Sequence, residues 1–419
     1  MNKFHKKAVF GAVLVGALAL VGGAAVVRGQ GLKGSGGGEV QARLAELGHV
    51  KNKKVCDTNE AGGARCAARV VVDDAGNAKA NAALPSGYGP QQFLAAYNLP
   101  GSASLTPGPV VAIVDAYDDP NIAGDLKTYS TKFGIPVLPA CSGSIQSSAV
   151  SCFQKMNQNG GTNSFPRSNS GWALEISLDV ETIHAACQNC RILLVEANSS
   201  GYADLLRAVD TAVAHGAAVV SNSWGSNEFS GEASYDSHFN HRGVAFTFSA
   251  GDGGYGVEYP AASQYVTAVG GTTLLVNPDN SYLSESAWNG TGSGCSAYEG
   301  KPSWQTDLAG CAKRTVADVS ADADPATGAA VYDSVRYDGQ AGWFQVGGTS
   351  LASPLIAATY ALGGVPAAIS ANAVPYLSTG TLHDVLTGSN GNCGSYLCHA
   401  GAGYDGPTGL GTPNGTSAF

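Results

Sequence analysis

The sequence predicts an α/β fold, a doubly wound parallel sheet with helices on both faces. Three observations carry this. Short continuous apolar runs recur along the chain, as strands buried on both faces require. Stretches with helical spacing separate them, so strand and helix alternate. Hydrophobic residues make up 44% of the 419-residue chain and charged residues only 13%, so core-forming material is ample while charge is about half the usual ~25%.

The chain opens with Lys3, Lys6 and Lys7 ahead of an apolar run from Ala8 to Val27. A basic segment before an apolar one is the layout of a secretory signal, so residues 1–29 are read as one. The run is also long enough to cross a bilayer, which makes an uncleaved anchor the alternative. Either way the rest of the chain is exported. Gly31 to Gly38 is a Gly-rich linker. Residues 39–84 hold a helical pattern from Val40 to Leu47, a cysteine pair and the short apolar run Val70 to Val72. That is too little for an ordinary independent domain. Residues 30–84 are therefore expected to be a short pro-segment or an extension packed on a main domain spanning 85–419.

Within that domain, Pro109 to Asp115 reads as a buried strand and Asp119 to Phe133 as a helix. Trp172 to Cys187 is a second helix, and Arg191 to Ala197 a strand. Tyr202 to His215 is a helix stopped by Gly216. Ala217–Ser223, Val244–Ser249 and Tyr265–Gly270 are further strands, and Leu355 to Leu362 a further helix. Ligands of such sheets gather beyond the carboxyl ends of the strands.

Ten cysteines fall as five pairs close in sequence: 56 and 66, 141 and 152, 187 and 190, 295 and 311, 393 and 398. In an exported chain these are expected to be disulfides. Cys187 and Cys190 also form a CxxC motif, but a zinc site needs a second pair. The net charge of −9 argues against nucleic acid as a partner and against a surface helix seeking anionic lipid. No membrane contact is expected beyond an N-terminal anchor.

Three groups carry chemistry. Ser350 follows Gly347 and Gly348 and opens a helix, where free N–H groups favour a developing anion. Pro354 is expected in the first turn of that helix, where proline is tolerated. Taken alone, such a serine is also an ordinary helix cap. Glu175 and Asp179 lie four residues apart on one helix face, about 40° and ~6 Å from each other. Like charges so placed repel. Their apolar surroundings in sequence bury the pair, and burial beside a like charge raises a carboxyl pKa. Asp252 sits among glycines just beyond the strand ending at Ser249.

With these residues in view, the chain resembles the sedolisins, the serine-carboxyl peptidase family, whose fold is similar to that of subtilisin. The resemblance covers about Gly87 to Pro413. It rests on Gly348-Thr349-Ser350 with Pro354, on Glu175 with Asp179, on Ala250-Gly-Asp-Gly-Gly254 and on the stretch Tyr259 to Thr273. It implies an endopeptidase acting on protein or peptide substrates, with Ser350 as nucleophile, Glu175 as general base and Asp179 orienting Glu175. Asp252 and the Ser350 N–H would hold the oxyanion. Ser223, Trp224 and Gly225 would pair with an extended substrate. Because carboxyls replace imidazole, an acidic optimum is expected. The resemblance also implies calcium, held by Asp384 and Asp405 side chains and by Val385, Gly401 and Gly403 carbonyls, an all-oxygen set. The protein is expected to be secreted and monomeric.

Two rivals are weighed. Asp115, His184 and Ser350 stand in subtilisin's order. His184, however, is nine residues from Glu175 on one helix, about 180° away and ~13.5 Å along the axis, so both cannot face Ser350. The other rival is a catalytically silent secreted binding protein of the same fold. The intact serine and carboxyl set speaks against it.

Overall fold

A computed structural model describes residues 36–56, 63–305, 310–365, 367, 370–378 and 381–419. The signal read at 1–29 and most of the Gly-rich linker lie outside them. Among the described residues no helix is long and apolar enough to cross a membrane.

The main sheet has eight strands among the described residues. In spatial order they run Tyr282–Ala287, Thr267–Val276, Ala245–Ser249, Val219–Asn222, Val110–Ala116, Arg191–Ala197 and Phe153–Asn157, with Val319–Asp322 also pairing to Thr267–Val276. All neighbours are parallel except Tyr282–Ala287. Val110–Ala116 is central and every residue of it is buried, which is why it reads as an unbroken apolar run. The helices Ile122–Phe133, Ser170–Ala186 and Thr349–Gly363 pack together against the sheet, while Tyr202–Ala214 packs on its strands from the other side. This is the doubly wound arrangement that the alternation predicts and the subtilisin-like fold that the resemblance implies.

The helix Ser170–Ala186 is buried from Gly171 to Ala186. Asn169 caps it, its side-chain oxygen accepting from the N–H groups of Gly171 and Trp172 at 3.0 and 3.1 Å. A helix buried all round carries no polar face, so its four titratable residues (Glu175, Asp179, Glu181 and His184) all face protein.

Some boundaries differ from the sequence reading, each for a physical reason. The strand expected at Tyr265–Gly270 continues to Val276. Its glycines read as an end but are strand residues under close approach: a Cβ on Gly270 would lie 2.3 Å from the Pro407 carbonyl oxygen. A hairpin joins Ala329–Tyr337 to Gln340–Gly347 through Asp338 and Gly339, both at positive φ, an Asp-Gly turn signal that the strand count overlooked. The last core helix starts at Thr349, one residue before the expected opening at Ser350, so Pro354 lies in its second turn rather than its first. All five expected disulfides are present.

The segment before the main domain packs on it. Asn52–Lys54 and Arg69–Val71 form an antiparallel pair. Arg69–Val71 in turn pairs with Gln340–Gly347, the strand that leads into Ser350.

Candidate active site

The strand Gln340–Gly347 turns at Gly348, whose φ is 96°, into the helix holding Ser350. Ser350 is fully buried, and its hydroxyl donates to the Ser223 carbonyl oxygen at 3.2 Å. Pro354 has no N–H to offer the Ser350 carbonyl four residues back. The Ser223 hydroxyl lies 3.3 Å from that carbonyl oxygen, and 2.9 and 2.7 Å from the two oxygens of Asp179. Ser223 thus ties the serine-bearing helix to the carboxyl-bearing one. It stands just past the strand Val219–Asn222, at the end of the sheet where ligands bind.

Glu175, Asp179 and Asp115 form a fully buried group of carboxyls. Asp115 comes from the end of the central strand. Burial raises all three, and each repels the others' charge. Glu175 is pushed well above the usual carboxylate range by burial, then by Asp179 and Asp115, while the Ser350 hydroxyl beside it pulls the other way. Asp179 is likewise raised by burial and Asp115, opposed by its bond from Ser223. Asp115 is pushed up to about 8 by burial, and both its oxygens lack hydrogen-bond partners among the described residues, as do those of Glu175. No direct bond from Asp179 orients Glu175; its oxygens hold Ser223.

Asp252 reaches the same point from beyond the strand Ala245–Ser249. Its Oδ1 accepts from the Thr349 N–H and hydroxyl at 2.8 and 2.9 Å. Its Oδ2 is shut off from solvent without a partner among the described residues. Burial pushes Asp252 up to about 7, against the Thr349 bonds and the Arg69 charge. Below that pH Asp252 carries a proton it can donate.

The edge strand expected to receive substrate is occupied by the chain itself. Cys66 and Arg65 pair antiparallel with Trp224 and Gly225. The Ala67 N–H donates to Ser223 O at 3.0 Å, and the Ala64 N–H to Ser200 O at 2.9 Å. The Ser350 N–H donates to the Ala67 carbonyl oxygen at 3.0 Å. A Cβ on Gly348 would lie 2.1 Å from that oxygen and 2.6 Å from Asp252 Oδ2. Only glycine fits there, and the carbonyl and the carboxyl face the same spot. The Arg65 guanidinium pairs with Glu258, and both line a cavity of about 150 Å³ walled chiefly by residues 250, 251 and 253–257.

Trp224 contributes backbone only: its side chain is buried in the core, with Nε1 donating to Val114 O at 2.9 Å. His184 is buried, its Nε2 2.7 Å from Pro136 O, and desolvation lowers it to about 4. It is absent from the group around Ser350, which removes the Asp115–His184–Ser350 arrangement, although Asp115 does join the carboxyls. Near the C-terminus, Asp384 Oδ2 accepts from Gly403 N–H at 2.9 Å and Asp405 Oδ2 from Gly401 N–H at 3.0 Å. Asp405 is buried and pushed up to about 7 by burial, with the Asp384 charge adding to the rise. The two carboxylates therefore converge over the Gly401–Gly403 turn, next to buried Val385. Sequence reasoning missed Glu258 and the segment Gly63–Arg69. The signal available was a run of small residues around Cys66, with arginines at 65 and 69.

A parallel α/β sheet with a helix-opening serine and buried carboxyls at its carboxyl edge defines a protein of the subtilase class, and the subtilase family pattern matches residues 157–387. Sedolisin of Pseudomonas sp. (strain 101) is 30% identical over 84% of this chain and 62% of its own length. Kumamolisin of Bacillus sp. (strain MN-32) is 30% identical over 81% of this chain and 64% of its own. This chain therefore spans less than two thirds of those relatives. The solved structure of Pseudomonas sedolisin, described as a serine-carboxyl proteinase complexed with two molecules of pseudo-iodotyrostatin, aligns with a TM-score of 0.63 at 30% identity. The alignment covers 79% of this chain and 96% of that one. The chain belongs to the sedolisin family.

Proposed function

We propose that this protein is a secreted serine-carboxyl endopeptidase with an acidic optimum. The observation that carries the reading is that one peptide carbonyl, that of Ala67, accepts from the Ser350 N–H and faces the same point as Asp252 Oδ2, while the Ser350 hydroxyl lies beside the buried Glu175 carboxyl. A hydroxyl is a weak nucleophile until a base removes its proton. Glu175 is the acid beside it and takes that proton. Asp179, held by Ser223, stands behind as the partner with which Glu175 shares charge. A group of three buried acids cannot hold three charges, but one suffices for a base.

As Ser350 Oγ bonds to the carbonyl carbon, the oxygen gains charge. The Ser350 N–H and protonated Asp252 hydrogen-bond that charge, which is preorganised stabilisation. Glu175 then returns its proton to the leaving amine, and water releases the acyl group by the reverse steps. Asp252 donates only when protonated, so the reaction is an acid-side one. The edge Ser223–Gly225 aligns the substrate by backbone pairing.

Asp384 and Asp405 with the carbonyls of Val385, Gly401 and Gly403 suit calcium: the donors are hard oxygens, and two converging carboxylates leave a deficit of positive charge. A bound ion would brace the C-terminal loop. Five disulfides support an oxidising destination outside the cell.

The test is a pH–rate profile on a peptide substrate for the parent and for Glu175→Gln. The parent is expected to peak in acid, and the variant to lose roughly 10²–10⁴-fold in kcat. A parent optimum above pH 7, or a Glu175→Gln profile identical to the parent's, refutes the proposal.

A further inference from the structure

The structure assigns Asn390 as a positioning residue for the proposed reaction: from the disulfide-closed loop 389–399 it holds the glycine-rich turn that aims Asp252 at the oxyanion. This rests on the peptidase reading above.

Asp252 stands in the turn 250–256, which has glycine at 251, 253, 254 and 256. Gly251 and Gly254 lie at φ 104° and 75°. Glycines bring no side chains to lock such a turn and lose the most freedom on ordering. Its position is therefore set by what its backbone is bonded to. At the serine helix, the Gly251 N–H donates to the Thr349 hydroxyl at 3.1 Å. Further bonds run to residues 290–293. The Gly292 N–H donates to Gly251 O at 2.7 Å, the Gly254 N–H to Gly290 O at 2.8 Å, and Gly256 and Ser293 exchange a pair at 2.8 and 3.0 Å. The Tyr255 N–H goes elsewhere, to the Asn390 carbonyl oxygen at 2.8 Å.

Asn390 also holds residues 290–293 themselves. It is buried, with 5% of its surface exposed. Its amide nitrogen donates to Thr291 O at 2.6 Å and to Ser293 Oγ at 2.7 Å. The Ser293 hydroxyl donates in turn to Leu397 O at 2.6 Å, back into the same loop. The Asn390 N–H donates to Cys398 O at 3.1 Å, and Cys398 is cross-linked to Cys393. One residue thus bonds the Asp252 turn, the strip beside it and the disulfide loop at once. The approach is close. A Cβ on Gly254 would lie 2.8 Å from the Asn390 carbonyl oxygen, and one on Gly391 would lie 2.6 Å from Tyr255 Cβ. With no slack between the two backbones, a shift in the loop is a shift in the turn.

Asp252 needs this support because its own hold is one-sided. Thr349 bonds its Oδ1. Its Oδ2, the oxygen that must meet the oxyanion, has no partner among the described residues. A displacement of the turn therefore carries Oδ2 off target. Asp252 and Asn390 also line one cavity of about 660 Å³, together with Arg69 and Trp288. Loosening this wall lets water reach a carboxyl that burial keeps raised. The charged and titratable groups facing Asp252 are Arg69, Glu258 and Glu175. The Asn390 amide nitrogen is spent on Thr291 and Ser293, so the residue acts through the turn and not on substrate.

The experiment measures kcat and KM for a peptide substrate across pH, using the full chain at one fixed calcium concentration. The samples are the parent, Asn390→Ala, Asp252→Ala and the double variant. Asn390→Ala should lose roughly 10- to 100-fold in kcat, as a misplacement of about 1 Å does. KM should stay at the parent's value, because the lost interaction belongs to the transition state. The alkaline limb should move to lower pH as Asp252 is hydrated. In the Asp252→Ala background the second substitution should cost nothing further, since no proton is left to aim. Gly391→Ala deletes no bond but sets a methyl against Tyr255, so it should show the same split more weakly. Should Asn390→Ala not fold, Gly391→Ala is read in its place. An unchanged kcat in the variant read, a rise in KM at constant kcat, or the full loss repeated in the Asp252→Ala background overturns the inference and leaves the peptidase reading standing. A parent that does not hydrolyse the peptide overturns both.

Discussion

Replacing Asp333 by Asn should stabilise the protein at neutral pH and leave it almost unchanged in acid. Asp119, Asp125 and Asp333 are buried, with one oxygen from each within 4.8 Å of the others. Asp333 is pushed up to about 8 from an ordinary 3.8, chiefly by burial and then by the charges of Asp119 and Asp125. The sign follows from linkage. A carboxyl whose folded pKa is raised contributes stability that is fully present below the unfolded pKa and is lost as pH rises through the folded one. For Asp333 the loss begins near 4 and runs to about 8. At pH 7 roughly three pH units have been crossed, at about 1.4 kcal/mol each, giving an upper limit of ~4 kcal/mol. The cluster shares its protons, so about 2 kcal/mol is the part assigned to one member. Asparagine keeps the Val335 N–H bond that Asp333 Oδ1 accepts at 2.7 Å. It also puts donors where Oδ2 has no partner among the described residues. Urea unfolding at pH 3.5 and pH 7, in a Ser350→Ala background to prevent self-digestion, measures the difference. A variant less stable than its parent at pH 7 refutes the reasoning, because the cluster would then be charged and held by a counter-ion.

Asp252→Asn keeps a donor at every pH, so the fall in kcat expected as Asp252 titrates near 7 should disappear; Asp252→Ala should lose roughly 10²–10³-fold in kcat. An unchanged alkaline limb in the Asn variant counts against Asp252 as the donor. Calcium at 100 times its Kd should add ~2.7 kcal/mol of stability, and a chelator or Asp384→Asn should remove it; a Tm indifferent to both ends the calcium assignment. His184 is lowered to about 4 by desolvation, so it contributes stability above 6.5 that is lost as pH falls through 4, up to ~3 kcal/mol. His184→Gln, which retains a donor for Pro136 O, should therefore gain stability near pH 3 with an unaltered pH–rate profile; a changed profile would bring the histidine back into the chemistry.

The legible parts of the site were those set by local spacing. Four residues on a helix put Glu175 and Asp179 on one face whatever surrounds them, and glycines before a helical run put Ser350 at its start. The buried strands were legible because burial on both faces leaves an unbroken apolar run. What escaped were long-range pairings. Arg65–Cys66 and Arg69–Val71 are strands of two and three residues, too short to show a period. Their partners lie at Trp224 and Gly347, far along the chain. No property of residues 63–71 taken alone states that they fill a cleft. Pro354 was misplaced for a related reason. The Ser350 carbonyl that its missing N–H leaves free faces the Ser223 hydroxyl of another element, so the proline is tolerated a turn deeper in the helix than local rules allow.

Desolvation links the chemistry to the stability of this chain. A protein with few charges has few cations to set against buried acids, and burial raises Asp115, Glu175 and Asp179 so that protons hold their charge in check instead. The same protons that keep Asp252 a donor, and that limit the charge on Glu175 and Asp179, relieve repulsion at Asp119, Asp125 and Asp333, away from Ser350. Raising the pH strips both sets together. An acid-active enzyme built this way needs no separate device to switch off at neutrality: the loss of the oxyanion donor and the loosening of the core follow from one titration range. Lodging Cys56–Cys66 over Glu175 deepens its burial further.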